Sequence, residues 1–255
     1  MSPGRVARPG RPQRSLRSLA LALACAGGCW RGAAVPPPLA LAEFPFDPYG
    51  GAIYVPGVVN GDSMWLMFDT GLSRTGLDRE WVAAHGALAD TAATTDIRSL
   101  RLGGLELSDS SAALYHLGGL SEAAGRLQQG LLGHDVLHRF TVEIDYPTHR
   151  VRLYDPAAYR YGGRGRSVPF TPDADLPLLG ATIKVPGRGA VTARLLLDTG
   201  ASGLCLILTT PFVVEHDLTR VRPALEAPIG TGLVGELHGT IVRLEALELG
   251  RLRVR

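Results

Sequence analysis

Two identical tripeptides, Asp69-Thr70-Gly71 and Asp198-Thr199-Gly200, each close an apolar run. Met64-Trp65-Leu66-Met67-Phe68 precedes the first and Leu195-Leu196-Leu197 the second. A carboxylate at the end of a buried strand is an unfavourable place for a charge unless it has work to do or partners to hold it. Two such carboxylates in one polypeptide point to a shared site where they face each other. A pair held close together shares one proton and titrates as a unit. The ionised member then accepts a proton from water, and the protonated member donates to an oxygen on which charge develops. That chemistry is hydrolysis with water as nucleophile and no covalent intermediate. Gly71 and Gly200 would let backbone approach the carboxylates closely. The plainer reading is a pair of strand-to-turn corners, where Asp and Gly are common for backbone reasons. The matched apolar leads, and the serines that follow at Ser73 and Ser202, count against it.

Three other constellations carry weaker signals. Gly230-Thr231-Gly232-Leu233-Val234-Gly235 fits the dinucleotide pattern letter for letter. That pattern works only between a strand and a helix. Here Pro228 precedes it, and Gly239-Thr240-Ile241-Val242 after it favours a strand, so a mobile glycine-rich hairpin over a cleft is expected. His134 and His138 have helical spacing but no evident third ligand, so no metal site is assigned. Cys205 is expected to be a small buried apolar residue and not a nucleophile. No cofactor is implied.

The elements that must position the two aspartates form an internal repeat. Ile53-Tyr54-Val55-Pro56-Gly57 parallels Ile183-Lys184-Val185-Pro186-Gly187, and Phe44-Pro45-Phe46 parallels Val168-Pro169-Phe170. Downstream, Leu100-Arg101-Leu102-Gly103-Gly104-Leu105 parallels Leu247-Glu248-Leu249-Gly250-Arg251-Leu252. The aspartates lie 129 positions apart and Gly103 and Gly250 lie 147 apart, so the second copy carries about 18 extra residues, a loop-sized insertion. Two copies at so long a period mean duplicated lobes, not a solenoid. Short segments rich in β-branched and aromatic residues, at 52–55, 141–145, 151–154 and 239–244, read as strands. Tyr146-Pro147-Thr148-His149 has turn chemistry between two of them. Helical periodicity is confined to 78–85 and 135–140.

Residues 1–42 read as a secretory signal peptide. Arg5, Arg8, Arg11, Arg14 and Arg17 precede an apolar stretch at 19–26, too short to span a bilayer. Cleavage is expected after Ala42 or Ala34, and the protein is expected to be secreted or periplasmic. Acylation of Cys25 or Cys29 is the alternative, although the residues before them fit it poorly. The leader holds six of the 26 Lys and Arg and none of the 24 Asp and Glu, which leaves residues 43–255 at −4. No basic patch recommends nucleic acid or an anionic membrane as partner. Only Cys205 remains outside the leader, so an intramolecular disulfide is excluded there. The remaining organisation is a first lobe at 43–161, a glycine-rich linker at 162–167 and a second lobe at 168–255.

Asp69-Thr70-Gly71-Leu72-Ser73 and Asp198-Thr199-Gly200-Ala201-Ser202 resemble the active-site loops of retropepsin-like aspartic proteases. Leu131-Leu132-Gly133 resembles the hydrophobic-hydrophobic-glycine segment that packs beside such a loop, and the run from Gly130 into Tyr146 is similar to bacterial members. The resemblance extends from about Phe44 onward. It implies an all-β fold of closed, mostly antiparallel barrel lobes, duplicated here in one polypeptide and meeting at a cleft. It further implies Asp69 and Asp198 as the catalytic pair acting on a polypeptide, with the Thr70 and Thr199 hydroxyls bonding across to the opposite lobe and Gly71 and Gly200 completing the loops. Leu72 stands where Ala or Ser is commoner in the family, a change expected to reshape the first loop. A second hydrophobic-glycine segment would fall near position 280. The second lobe is therefore expected to be incomplete, with the sequence truncated at its carboxyl end. Two alternatives follow: a catalytically silent β-domain that binds peptides or assembles with a partner, and a first lobe acting as a homodimer through Asp69.

Overall fold

A computed structural model of the protein describes residues 38–86, 91–173 and 176–254. The leader at 1–37 lies outside the described residues. The first strand, β1 (Ala42–Pro45), begins at the residue where the leader was expected to end.

The first copy of the repeat builds a closed barrel. β2 (Tyr54–Val59) and β3 (Asp62–Phe68) form an antiparallel hairpin in the register Tyr54↔Met67 to Val59↔Asp62. Met64, Leu66 and Phe68 alternate inward along β3, as a strand with one buried face requires. Beyond Asp69 come β4 (Gly76–Asp78) and α1 (Arg79–His85), whose N-cap Asp78 accepts from the Trp81 amide. Two long strands, β5 (Thr94–Leu102) and β6 (Leu105–Tyr115), lead into α2 (Gly118–Ala124) and then β7 (Gly130–Leu132) and α3 (His134–Leu137). The barrel closes in the order β2-β3-β7-β4-β6-β5. β8 (Thr141–Asp145) and β9 (Arg150–Tyr154) form the hairpin that the Tyr146–His149 turn chemistry predicts. They pair with β1 in a three-stranded sheet whose Phe44, Val151 and Leu153 join the barrel core of Leu66, Phe68, Leu100, Leu102 and Leu132.

The second copy is an open sheet. After the irregular stretch that contains 162–167 come β10 (Phe170–Asp173), β11 (Leu176–Val185) and β12 (Gly189–Leu196), then α4 (Thr210–Glu215). β13 (Ala224–Gly232) and β14 (Gly235–Val242) form a separate two-stranded ribbon, and β15 (Ala246–Leu249) and β16 (Leu252–Val254) are the last described elements. The sheet runs β10-β11-β15-β16, with β12 on the other edge of β11. Its core is smaller, with Ile183, Val185, Ala193, Leu218 and Val221 buried. Among the described residues no strand covers the outer edge of β12. Leu197 is therefore 48% exposed, whereas its counterpart Phe68 is fully buried against β7. The described residues are thus mostly β, with one closed six-stranded barrel and antiparallel sheets.

Local expectations are met with shifts at the ends. The strand expected at 52–55 starts at Tyr54, because Tyr49–Gly51 forms a 3-10 turn with Gly50 and Gly51 at positive φ just before it. The helix expected over 135–140 is the shorter α3, which ends at Leu137 with His138 as its C-cap, before β8 begins at Thr141. Two helices carried no sequence signal: α2 opens with two glycines, and α4 lies in a β-branched stretch. No helix among the described residues is long and apolar enough to cross a membrane.

Candidate active site

Both Asp-Thr-Gly motifs lie at the C-terminal ends of matched hairpin strands. The Phe68 amide donates to Ile53 O at 2.8 Å, and the Leu197 amide to Pro177 O at 3.0 Å. Within each motif the aspartate accepts from its own glycine: Gly71 N–H reaches Asp69 Oδ1 at 2.9 Å, and Gly200 N–H reaches Asp198 Oδ1 at 2.8 Å. Asp198 Oδ1 also accepts from the Ala201 amide at 3.0 Å. These bonds orient both carboxyls along their loops.

The two loops interlock through their threonines. Thr70 Oγ1 donates to Leu197 O at 2.6 Å and Thr199 Oγ1 donates to Phe68 O at 2.7 Å. In return, each hydroxyl oxygen accepts the other threonine's amide, both at 3.1 Å. The two lobes are thereby joined within one polypeptide by four reciprocal bonds around a local two-fold arrangement. The glycines show how tightly the carboxyls are held. A β-carbon on Gly71 would lie 2.4 Å from Asp198 Cγ, and one on Gly200 would lie 2.6 Å from Asp69 Cγ. Each carboxyl thus rests on the opposite loop in space that only a glycine leaves open.

Electrostatics follow from this packing. Burial, the Asp198 charge beside it and a hydrogen bond between the two carboxyls push Asp69 up to about 6, against the opposing pull of the Gly71 and Leu72 amides. Asp69 therefore holds a proton well above the ordinary carboxylate range.

The first loop is backed by the Leu131-Leu132-Gly133 segment together with two residues that motif reading missed, Thr75 and Asp135. The Asp69 amide donates to Leu132 O at 3.0 Å, so β7 carries the base of the loop. Thr75, almost fully buried, donates from its amide and its hydroxyl to Asp135 Oδ1 and accepts from the Gly133 amide at 3.1 Å. The Leu72 and Ser73 carbonyls accept from the His134 and Asp135 amides. Leu72, the residue expected to reshape the loop, is thus fixed through its backbone while the residue lines the cleft. A β-carbon on Gly133 would meet Arg74 and Thr75 backbone at 2.6 Å, which explains the glycine at that place. Asp135 could have been found from its position just after Leu131-Leu132-Gly133. Thr75 carried no signal, because a buried threonine six residues past the aspartate resembles any strand residue.

The aspartates open into a cleft of about 590 Å³. Asp69 and Asp198 are its only charged lining residues among those described; the rest are uncharged, most of them apolar or small. The cleft is covered by the β13–β14 ribbon, which contains the glycine-rich run. Gly232 pairs with Gly235 around a Leu233-Val234 tip, and Val234 is 95% exposed. The run is accordingly a hairpin over the cleft and not a strand-to-helix phosphate loop. It also accounts for the extra residues of the second copy. Between α1 and β5 the first lobe has only residues 86–93, whereas the second lobe inserts the ribbon between α4 and β15.

One expectation is corrected. Cys205 is exposed, not buried, because the segment after the second motif lacks the strand pairing that buries its first-lobe counterpart around β4. His134 and His138 stack with ring centroids 5.8 Å apart, and His138 Nδ1 lies 2.8 Å from His134 O, the contact of adjacent turns of one helix.

Among solved structures, the protein is similar to a retropepsin-like aspartic protease from Rickettsia conorii, at 23% identity and a TM-score of 0.33, over 44% of this chain and 88% of that chain. No family model matches the sequence, and no curated protein matches it.

Proposed function

We propose that the protein is an aspartic-type endopeptidase that hydrolyses peptide bonds through a water activated between Asp69 and Asp198. The observation that carries this reading is the reciprocal threonine interlock, which seats two carboxyls of one polypeptide against each other's loops at the floor of an otherwise uncharged cleft. With Asp69 protonated up to about pH 6, the pair bears one proton over the acid range. The ionised carboxylate takes a proton from water as its oxygen attacks the scissile carbonyl carbon. The protonated carboxyl donates to the carbonyl oxygen, giving a tetrahedral gem-diol that collapses when the amine nitrogen is protonated. Burial in a low-dielectric floor strengthens both interactions as charge develops. Gly71 and Gly200 supply the space, and Thr70 and Thr199 hold the two halves in register.

The remaining assignments belong to the same reading. The leader at 1–42 delivers the protein to the periplasm or the exterior, and 43–161 and 168–255 are its two catalytic lobes joined by 162–167. Peptidase assays on casein or albumin between pH 3 and 8 test the reading, with Asp69→Asn and Asp198→Asn as controls. Turnover abolished in both variants supports it; wild-type turnover in either one sinks the dyad.

A second reading has its own observation. The outer edge of β12, which no strand among the described residues covers, and the exposed Leu196 and Leu197 behind Asp198 suit a silent β-domain that binds an extended segment. Tight peptide binding with no hydrolysis at any pH favours that reading. Activity that rises with the square of concentration and survives Asp198→Asn favours a homodimer of the first lobe.

A further inference from the structure

The cleft has two unlike walls. On the second-lobe side stands the β13–β14 ribbon, a two-stranded hairpin with glycines at 230, 232 and 235 and no third strand among those described. A ribbon of that kind is readily deformed. On the first-lobe side stands α2, and it is pinned at both ends. At its start the Leu117 amide donates to Asp78 Oδ2 at 2.9 Å, and Leu117 O accepts from the Ser121 amide and hydroxyl. Ser121 Oγ in turn accepts the Gln128 amide, and Gln128 Nε2 donates to Tyr54 Oη at 2.8 Å. At its end, past the left-handed cap Gly125, the Arg126 guanidinium lies 4.3 Å from the Tyr54 ring centroid, 5.0 Å from Trp65 and 5.3 Å from Tyr49. Arg126 Nη1 also donates to Asp47 Oδ2 at 2.6 Å. A cation held among three aromatic faces and a carboxylate anchors the helix firmly to the barrel.

Leu120, Ala123 and Ala124 line the cleft from α2 together with Tyr49. Their i, i+3, i+4 spacing places them on one helical face. Two of the three are alanines, so this face leaves room for a guest side chain, and among the described residues no charged group lines this wall to pair with a charge. A rigid wall discriminates by size where a deformable ribbon adapts.

We propose that α2 is the specificity wall of the cleft: Leu120, Ala123 and Ala124 admit one bulky uncharged side chain of a bound polypeptide on the Asp69 side, and their size sets which side chains enter. This rests on the polypeptide-binding part of the peptidase reading, not on its chemistry.

The test is binding of hydrolysis-resistant peptides carrying a reduced-amide bond, with Phe or Ala at each residue flanking that bond in turn, measured by calorimetry on the full 255-residue protein. Burial of a phenyl group predicts that Phe is preferred over Ala about tenfold or more at one flanking position. Ala124→Leu should cut that preference to about threefold or less. Leu120→Ala should shift the optimum from Phe towards Trp, and it serves as the second variant if Ala124→Leu melts early by circular dichroism. Equal affinity for Phe and Ala peptides in the wild type, binding of neither, or a preference that both folded variants leave unaltered overturns the proposal. A preference that responds to the variants while the matching ordinary amides are never cleaved keeps the wall and removes the peptidase chemistry.

Discussion

Thr70 and Thr199 trade hydrogen bonds across the two lobes: each amide donates to the other's hydroxyl oxygen at 3.1 Å. Each hydroxyl then donates its own proton to the opposite strand end, at Leu197 O or Phe68 O. Because both bonds of each hydroxyl cross between lobes, this closed circuit registers the two carboxyls against each other.

Breaking half of the circuit should uncouple the pair. Thr199→Val removes one donor and one acceptor, strands the Thr70 amide and the Phe68 carbonyl, and is expected to cost about 2 kcal/mol of stability. Hydrolysis should fall by more than about tenfold, because small misplacements of catalytic groups are expensive in rate. Thr199→Ser restores the hydroxyl and should recover most of both. Thermal melts and steady-state rates on the two variants check this.

The Asp69 shift predicts how activity and stability depend on pH. A carboxyl whose folded pKa is raised to about 6 is comfortable when protonated, so the folded state carries a penalty above that pH and none well below the ordinary carboxylate range. Activity should decline as pH rises through about 6. Asp69→Asn keeps the oxygen that accepts from Gly71 and removes the charge. It should therefore stabilise the protein at pH 7.5, by up to about 2–3 kcal/mol, and have little effect at pH 4. Thermal melts of both proteins at the two pH values decide it, and equal effects would show that burial of Asp69 carries no penalty.

The two aspartyl loops should differ in protection. Asp69 N–H is held by Leu132 O on β7, whereas β12 runs past its last pair, Leu178↔Leu196, with no strand on its outer edge among the described residues. Phe68 and Leu197 both donate inward, to Ile53 O and Pro177 O, so the contrast falls on the next residue: amide exchange at Asp69 should be slower than at Asp198, about tenfold or more, since edge amides open locally at lower free energy. Exchange read by mass spectrometry or NMR compares the two directly.

The backing of the first loop should be intolerant of small changes. Gly133→Ala forces a methyl to within 2.6 Å of the Arg74–Thr75 backbone and is expected to destabilise by roughly 1–3 kcal/mol. Asp135→Ala leaves the buried Thr75 amide and hydroxyl without their acceptor, for about the same loss. Chemical denaturation of both variants measures it, and a neutral Gly133→Ala would mean that the loop yields.

Much of the site is legible from residue order. The doubled Asp-Thr-Gly, its apolar leads and the Leu131-Leu132-Gly133 segment are local patterns, and each marks a strand end or a close backbone approach that one short stretch of residues already specifies. The Tyr146–His149 turn and the start of α1 at Asp78 are readable for the same reason. Cys205 is misjudged from sequence, because its burial depends on a neighbouring strand that residue type does not reveal. Helix α2 escapes periodicity, because its leading glycines disfavour a helix that the Asp78–Leu117 bond and the Arg126 clamp hold in place.

Residue order alone established that two carboxylates end matched strands in a duplicated, mostly β protein, since strand alternation and turn chemistry act over a few residues. The family resemblance implied that the Thr70 and Thr199 hydroxyls bond across to the opposite lobe, but residue order could not establish that each also accepts the other threonine's amide, that Asp69 is pushed to about 6, or that a pinned helix faces a glycine-rich ribbon across the cleft. Those depend on how the barrel and the open sheet come together, because long-range hydrogen bonding, burial and mutual charge exist only once distant segments share the same space.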